Sequence, residues 1–131
     1  MSSTKNTKKL TVLVIDDDPT ISEIISSKLT ASGHTAHVVL SSPEVIFQAE
    51  QVLPDVVILD LMMTRMAGED VLKALKTHAT LSEIPVLIFS NKGVEDEMEY
   101  LTEMGAAKFL VKSDTSLTEL VKVVEDLVAG K

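Results

Sequence analysis

Three aspartates stand in a row at Asp16, Asp17 and Asp18, directly after the apolar run "LTVLVI", and a fourth, Asp60, interrupts the apolar segment "VVILDLMM". An ionised carboxylate taken out of water without partners is costly enough to neutralise itself or to attract a cation. Asp60 therefore has a partner or a task. Ser90 and Lys112 follow the same pattern, each placed just after an apolar run, "PVLIF" and "KFLV". Carboxylates brought close together repel, so one resists ionisation or a cation binds. Hard oxygen donors without Cys or His suit Mg²⁺, which keeps several waters and takes a few carboxylates plus phosphate oxygens. A carboxylate nucleophile beside such a cation, with a lysine and a hydroxyl across from it, is equipment for phosphoryl transfer, and Asp60 is where the phosphoryl group would land.

The elements that must bring these residues together are legible as an alternation. Short runs rich in Val, Ile and Leu alternate with segments whose apolar residues recur at three and four, the pattern of βαβ units on a parallel sheet. Strands are expected at Leu10 to Ile15, His34 to Val39, Val56 to Leu59, Pro85 to Phe89 and Lys108 to Val111. Asp18 and Pro19 open the first helix, with an apolar stripe of Ile21, Ile24, Ile25 and Leu29, and Gly33 follows it. Ser42 and Pro43 open a second. A third carries Val71, Leu72 and Leu75, and a fourth carries Val94, Met98 and Leu101 and stops near Gly105. The last begins at Ser116 with Glu119 at capping-box spacing, and its stripe is Leu117, Leu120, Val121, Val124, Leu127 and Val128. In an open parallel sheet, ligands bind at the carboxyl ends of the strands. Four strand ends thus aim Asp16 to Asp18, Asp60, Ser90 and Lys112 at one edge. Singly, each has a plainer reading, such as a helix cap for Asp18 or a solvated strand end for Lys112; jointly they read as one site.

Composition limits the alternatives. With 131 residues the chain fits one domain, residues 10–131, after a disordered polar and basic tail over residues 1–9. There is no internal repeat. No apolar run approaches the roughly 20 residues of a membrane span, and none follows the basic start as in a secretory signal, so a cytoplasmic, membrane-free location is expected. The chain has no cysteine, which excludes disulfides and thiolate metal sites. With 20 acidic against 12 basic residues and a net charge of −8, direct nucleic-acid binding is disfavoured. The acidic fourth helix (Glu95, Asp96, Glu97, Glu99, Glu103) reads as a solvated face, the methionines as core filler and rim, and His34, His37 and His78 show no ligand spacing and carry no expected role.

From Leu10 to about Val128 the chain resembles the receiver domains of two-component response regulators, in element order, in the acidic cluster and in the separations from Asp60 to Ser90 and Lys112. The resemblance implies a flavodoxin-like, doubly wound five-stranded parallel sheet of order 2-1-3-4-5 with five helices. It implies that Asp60 accepts a phosphoryl group from a sensor histidine kinase or phosphotransfer protein, acting as a signalling phosphoacceptor rather than an enzyme. Mg²⁺ would be bound by Asp17, Asp60 and the backbone carbonyl of Met62, with Asp16 acting through water. Ser90 would be the switch hydroxyl, Lys112 would neutralise the phosphoryl group, and Phe109 would be the rotating aromatic. The surface of the fourth helix, fifth strand and fifth helix would then change shape for a target protein, with a phosphorylation-dependent homodimer left open. A stand-alone regulator of the chemotaxis type is expected.

The sequence also departs from the family. A proline usually follows the lysine in a cis peptide, whereas here Ser113 follows; a cis bond before a non-proline costs roughly 2.5 to 4 kcal/mol, so a trans Lys112–Ser113 bond is expected. The loop after Asp60 reads "MMTRMAG", in which Gly68 matches the family and Thr64 and Ala67 do not. Met62 and Lys92 occupy the positions that tune access of hydrolytic water, and their types imply slow phosphate loss. Two other classes fit parts of the chain. "VIDDDPT" matches the entry motif of haloacid-dehalogenase-like phosphohydrolases, with Asp16 as nucleophile, Asp18 as general acid and Ser90 and Lys112 holding phosphate, but it leaves Asp60 unexplained and offers only Asp114 downstream. A pseudo-receiver, keeping the fold without the chemistry, is the third.

Overall fold

The structure, a computed structural model, describes residues 9–40, 44–63, 67–91 and 95–129. The expected tail apart from Lys9, the helix start at Ser42 and Pro43, Thr64, Lys92, Val94 and the side chains of Glu95, Asp96 and Glu97 lie outside the described residues. The chain runs β1 (Thr11–Ile15), α1 (Pro19–Ala31), β2 (Thr35–Val39), α2 (Val45–Val52), β3 (Val56–Leu59), α3 (Gly68–Thr77), β4 (Val86–Ser90), α4 (Glu95–Glu103), β5 (Lys108–Val111) and α5 (Leu117–Ala129). Single 3₁₀ turns occupy Leu81–Glu83 and Lys112–Asp114. All four strand pairs are parallel, in the order 2-1-3-4-5.

Side chains alternate across a strand, so each central strand feeds two cores. Leu13, Ile15, Val57, Leu59, Val86 and Ile88 face one way and pack with Val45, Ala49, Val71, Leu72, Leu75 and Leu101 of α2, α3 and α4. Val12, Val14, Val56, Ile58, Leu87 and Phe89 face the other way, against Ile25 and Leu29 of α1 and Leu120, Val121 and Val124 of α5. Each fully buried aliphatic side chain contributes about 2 kcal/mol relative to exposure. This explains why β1, β3 and β4 read as unbroken apolar runs.

Helix ends follow the sequence signals. The Asp18 carboxylate accepts hydrogen bonds from the N–H groups of Thr20 (2.9 Å) and Ile21 (3.3 Å), and Pro19 starts α1. Gly33 and Gly105 follow α1 and α4 at φ +96° and +109°, a region open to glycine without a Cβ penalty. Ser116 Oγ accepts the Glu119 N–H at 3.0 Å before α5. The α1 stripe differs from expectation at one residue. Ile24 is 45% exposed, because Ser22, Ile25 and Leu29 share the inward face and Ile24 lies off it. Met98 is likewise exposed on α4, leaving Leu101 as the buried anchor. The chain contains no cis peptide among the described residues, and the Lys112–Ser113 bond is trans as expected.

His34 has a role that its spacing did not announce. It is buried, its Nδ1 accepts the Leu10 N–H at 3.1 Å, and its Nε2 lies 2.8 Å from Glu125 Oε2. A nitrogen that accepts cannot carry the proton, so Nε2–H donates to Glu125 and ties the start of β1 to α5.

Candidate functional site

Strand register sets the site. Ile15 pairs with Leu59 and Leu59 with Ile88, so the next residues, Asp16 and Asp60, emerge side by side at the carboxyl edge. The Asp60 N–H donates to the Ile15 carbonyl at 3.0 Å, fixing the point where β3 gives way to the loop. Ser90 closes β4 opposite Val111, and Lys112 follows immediately. A cleft of about 210 Å³ opens there, lined by Asp16, Asp17, Asp18, Asp60, Met62, Asn91 and Lys112. The sequence-predicted acids and Lys112 therefore share one cavity.

The charges inside it are paired unevenly. Lys112 Nζ lies 2.7 Å from Asp16 Oδ2 and 3.6 Å from Asp60 Oδ2, with all three side chains largely buried. Asp16 Oδ1 accepts the Asp18 N–H at 2.9 Å, so both of its oxygens are engaged. Asp60 Oδ1 accepts the Met62 N–H at 3.3 Å. Burial pushes the Asp60 carboxyl above the usual range; Lys112 opposes this, the neighbouring Asp16 charge adds to it, and hydrogen bonds from Ser90 and the Met62 N–H oppose it. Loss of water thus outweighs the neighbours that favour the charged form of Asp60.

The donor chemistry fits a hard cation that keeps waters. Among the described residues, no three acidic or histidine side chains converge tightly enough to cage a metal unaided. Mg²⁺ needs no such cage, since one or two carboxylates with water and phosphate oxygens suffice. Asp17 and Asp60 are carboxylates of this cleft, and Met62 lines it with its backbone beside Asp60.

Ser90 is fully buried. Phe109 is half-buried, pairs in register with Ile88 and packs on the α2–α4 core. Met62 is 61% exposed at the cleft. Asn91 joins the lining although sequence reasoning passed over it; it follows Ser90 at the same strand end, and that adjacency was the available signal. Gly68 backs the site from behind, its N–H donating to the Leu61 carbonyl at 3.2 Å. No helix among the described residues is long and apolar enough to cross a membrane.

Comparison with known proteins agrees with this geometry. The Response regulator receiver domain family matches residues 12–125. Response regulator PleD of Caulobacter vibrioides is 36% identical over 102 residues, 77% of this chain, and the chain spans only 22% of PleD. Protein PilH of Pseudomonas aeruginosa is 29% identical over 119 residues, covering 91% of this chain and 98% of PilH. The crystal structure of a putative response regulator from Chloroflexus aurantiacus superposes with a TM-score of 0.84 at 28% identity, covering 93% of this chain and 99% of that one. With a parallel sheet of order 2-1-3-4-5 and an acidic cleft at its carboxyl edge, the chain belongs to the receiver domain family of two-component response regulators.

Proposed function

We propose that Asp60 accepts a phosphoryl group from the phosphohistidine of a sensor histidine kinase or phosphotransfer protein. The observation that carries this reading is the buried Asp60 carboxylate between Lys112, Ser90 and the Met62 N–H, with its pKa pushed up by burial. A more basic carboxylate is a better nucleophile. One Asp60 oxygen attacks phosphorus as the bond from phosphorus to the donor imidazole breaks, the electron pair stays on that nitrogen, and an aspartyl phosphate forms. The Lys112 ammonium counters the negative charge gathering on the phosphoryl oxygens. Mg²⁺, held by Asp17, Asp60 and the Met62 backbone carbonyl, would supply further neutralisation of that charge. Asp16 would act on it through water, with Lys112 and the Asp18 N–H as its direct partners.

Ser90 then hydrogen-bonds a phosphoryl oxygen, and Phe109 fills the space it vacates. The α4–β5–α5 surface changes shape for a target protein or a second copy. Water later attacks phosphorus, releasing inorganic phosphate and restoring Asp60; Met62 and Lys92 set how readily it arrives. The reading places the protein in the cytoplasm. A phosphohydrolase with Asp16 as nucleophile is less well supported, since it leaves Asp60, buried in the same cleft, without a task, and Asp18 caps α1.

The test is intact mass after incubation with Mg²⁺ and acetyl phosphate, with Asp60→Asn as comparison. One phosphoryl adduct on the native chain and none on the variant is the expected result. Equal labelling of both, or none of the native chain, would overturn the reading.

A further inference from the structure

Sulfur chemistry in this chain falls entirely to methionine, because there is no cysteine. Among the described methionines, Met62 is the most exposed at 61%, against 40% for Met98, while Met63 and Met104 are half-buried against the core. Met62 alone of these four lines the acidic cleft. Peroxides attack thioether sulfur according to its exposure, so the most exposed of the described methionines is one that lines the cavity holding Asp60.

We propose that Met62 is a site of oxidation by peroxide, and that its sulfoxide shortens the life of the phosphoryl group on Asp60. The second half rests on the reading of Asp60 as phosphoacceptor. In the oxidation step a lone pair on Met62 Sδ attacks one peroxide oxygen, the O–O bond breaks, and water leaves after proton transfer. Sulfur is oxidised by two electrons and the peroxide is reduced. The product differs from the thioether in the property that matters beside an acyl phosphate. A thioether is a poor hydrogen-bond acceptor, whereas S=O accepts strongly and holds water. Met62 is tied to the site by its own backbone, whose N–H donates to Asp60 Oδ1 at 3.3 Å. Because Met62 also lines the cleft, water drawn to its side chain is drawn to the cavity that holds Asp60. The expected gain in dephosphorylation rate is about fivefold, the worth of one hydrogen bond to the attacking water.

The experiment uses the full chain. Protein is treated with hydrogen peroxide or buffer, desalted, labelled with acetyl phosphate and Mg²⁺, desalted again, and followed by intact mass as the adduct decays. Fragment spectra of the tryptic peptide covering residues 29–65 report oxidation at Met62 and Met63 separately. Expected are preferential oxidation of Met62 and a decay ratio, treated over untreated, of about five. That ratio should fall to one in Met62→Leu and persist in Met98→Leu. Oxidation at Met98 with Met62 spared, an unchanged decay after Met62 is oxidised, or a ratio that survives Met62→Leu would each overturn the inference while leaving the phosphoacceptor reading intact. Failure of the untreated chain to label would remove both.

Discussion

Gly68 offers the sharpest test of how the scaffold holds the site. It is the first residue of α3, it is buried, and a Cβ placed on it would lie 2.5 Å from both the Asp60 carbonyl oxygen and Leu61 Cα. Ordinary contacts between such atoms begin near 3.5 Å, so Gly68→Ala demands about 1 Å of movement. Both obstructing atoms are backbone, and no flexible side chain can turn aside to relieve them. Alanine is favoured over glycine inside a helix by about 1 kcal/mol, but less at a first turn, while overpacking costs about 1–3 kcal/mol. The steric effect wins, for a net loss of about 1–2 kcal/mol and a fall in Tm of roughly 3–10 °C. The peptide that moves is the one joining Asp60 to Leu61. Its displacement also lengthens the Met62 N–H bond to Asp60 Oδ1, already 3.3 Å. A 1 Å misplacement at a reacting group costs on the order of 10²-fold in rate. Urea unfolding followed by circular dichroism reads the first effect, and the rate of labelling by acetyl phosphate reads the second. A variant as stable as the parent, labelling at the parental rate, would show that the Asp60–Leu61 peptide is not pinned by α3. A destabilised variant that labels normally would refute the coupling to the site alone.

Two further outcomes follow from the charges. Because the folded-state pKa of Asp60 is raised, its ionised form costs stability at neutral pH, and the cost is relieved as pH falls through the folded value towards the ordinary 3.8. Asp60→Asn should therefore unfold at higher urea than the parent at pH 7, with the gap closing near pH 4; a gap that stays constant or reverses sign at neutral pH would contradict this. His34→Leu should lose about 2–3 kcal/mol in the same assay, since it leaves the Leu10 N–H without its acceptor and Glu125 without its donor. Equality with the parent would show that water replaces the tie.

Periodicity carried the fold because the strands that position the site are central and buried on both faces, so their apolar runs are uninterrupted. Asp60 was conspicuous for the same reason: a charge directly after β3, with apolar residues on both sides of it, stands out. Phe109 was placed only by resemblance, since an aromatic residue in an edge strand has no pattern of its own. Ile24 was misplaced because apolar residues at three and four define two adjacent stripes, and only packing against the sheet decides which is inward. His34 escaped for a different reason. Its partners, Leu10 just before β1 and Glu125 in α5, are far away in sequence, and no local spacing encodes a hydrogen bond between elements joined by the fold alone. The phosphohydrolase reading of the acidic triplet already left Asp60 unexplained in the sequence, and the structure adds that Asp18 caps α1.

The tie from His34 to Glu125 has a mechanical meaning for α5. Glu125 lies in the C-terminal half of the helix, whereas Leu117, at its start, comes shortly after Lys112 and the cleft, about 12 Å along the axis. The inward face between them is aliphatic, through Leu120, Val121 and Val124, and aliphatic surfaces slide more readily than directional hydrogen bonds break. The helix is thus anchored in two ways, by a directional bond beneath the sheet's amino edge and by aliphatic packing alone towards the carboxyl edge.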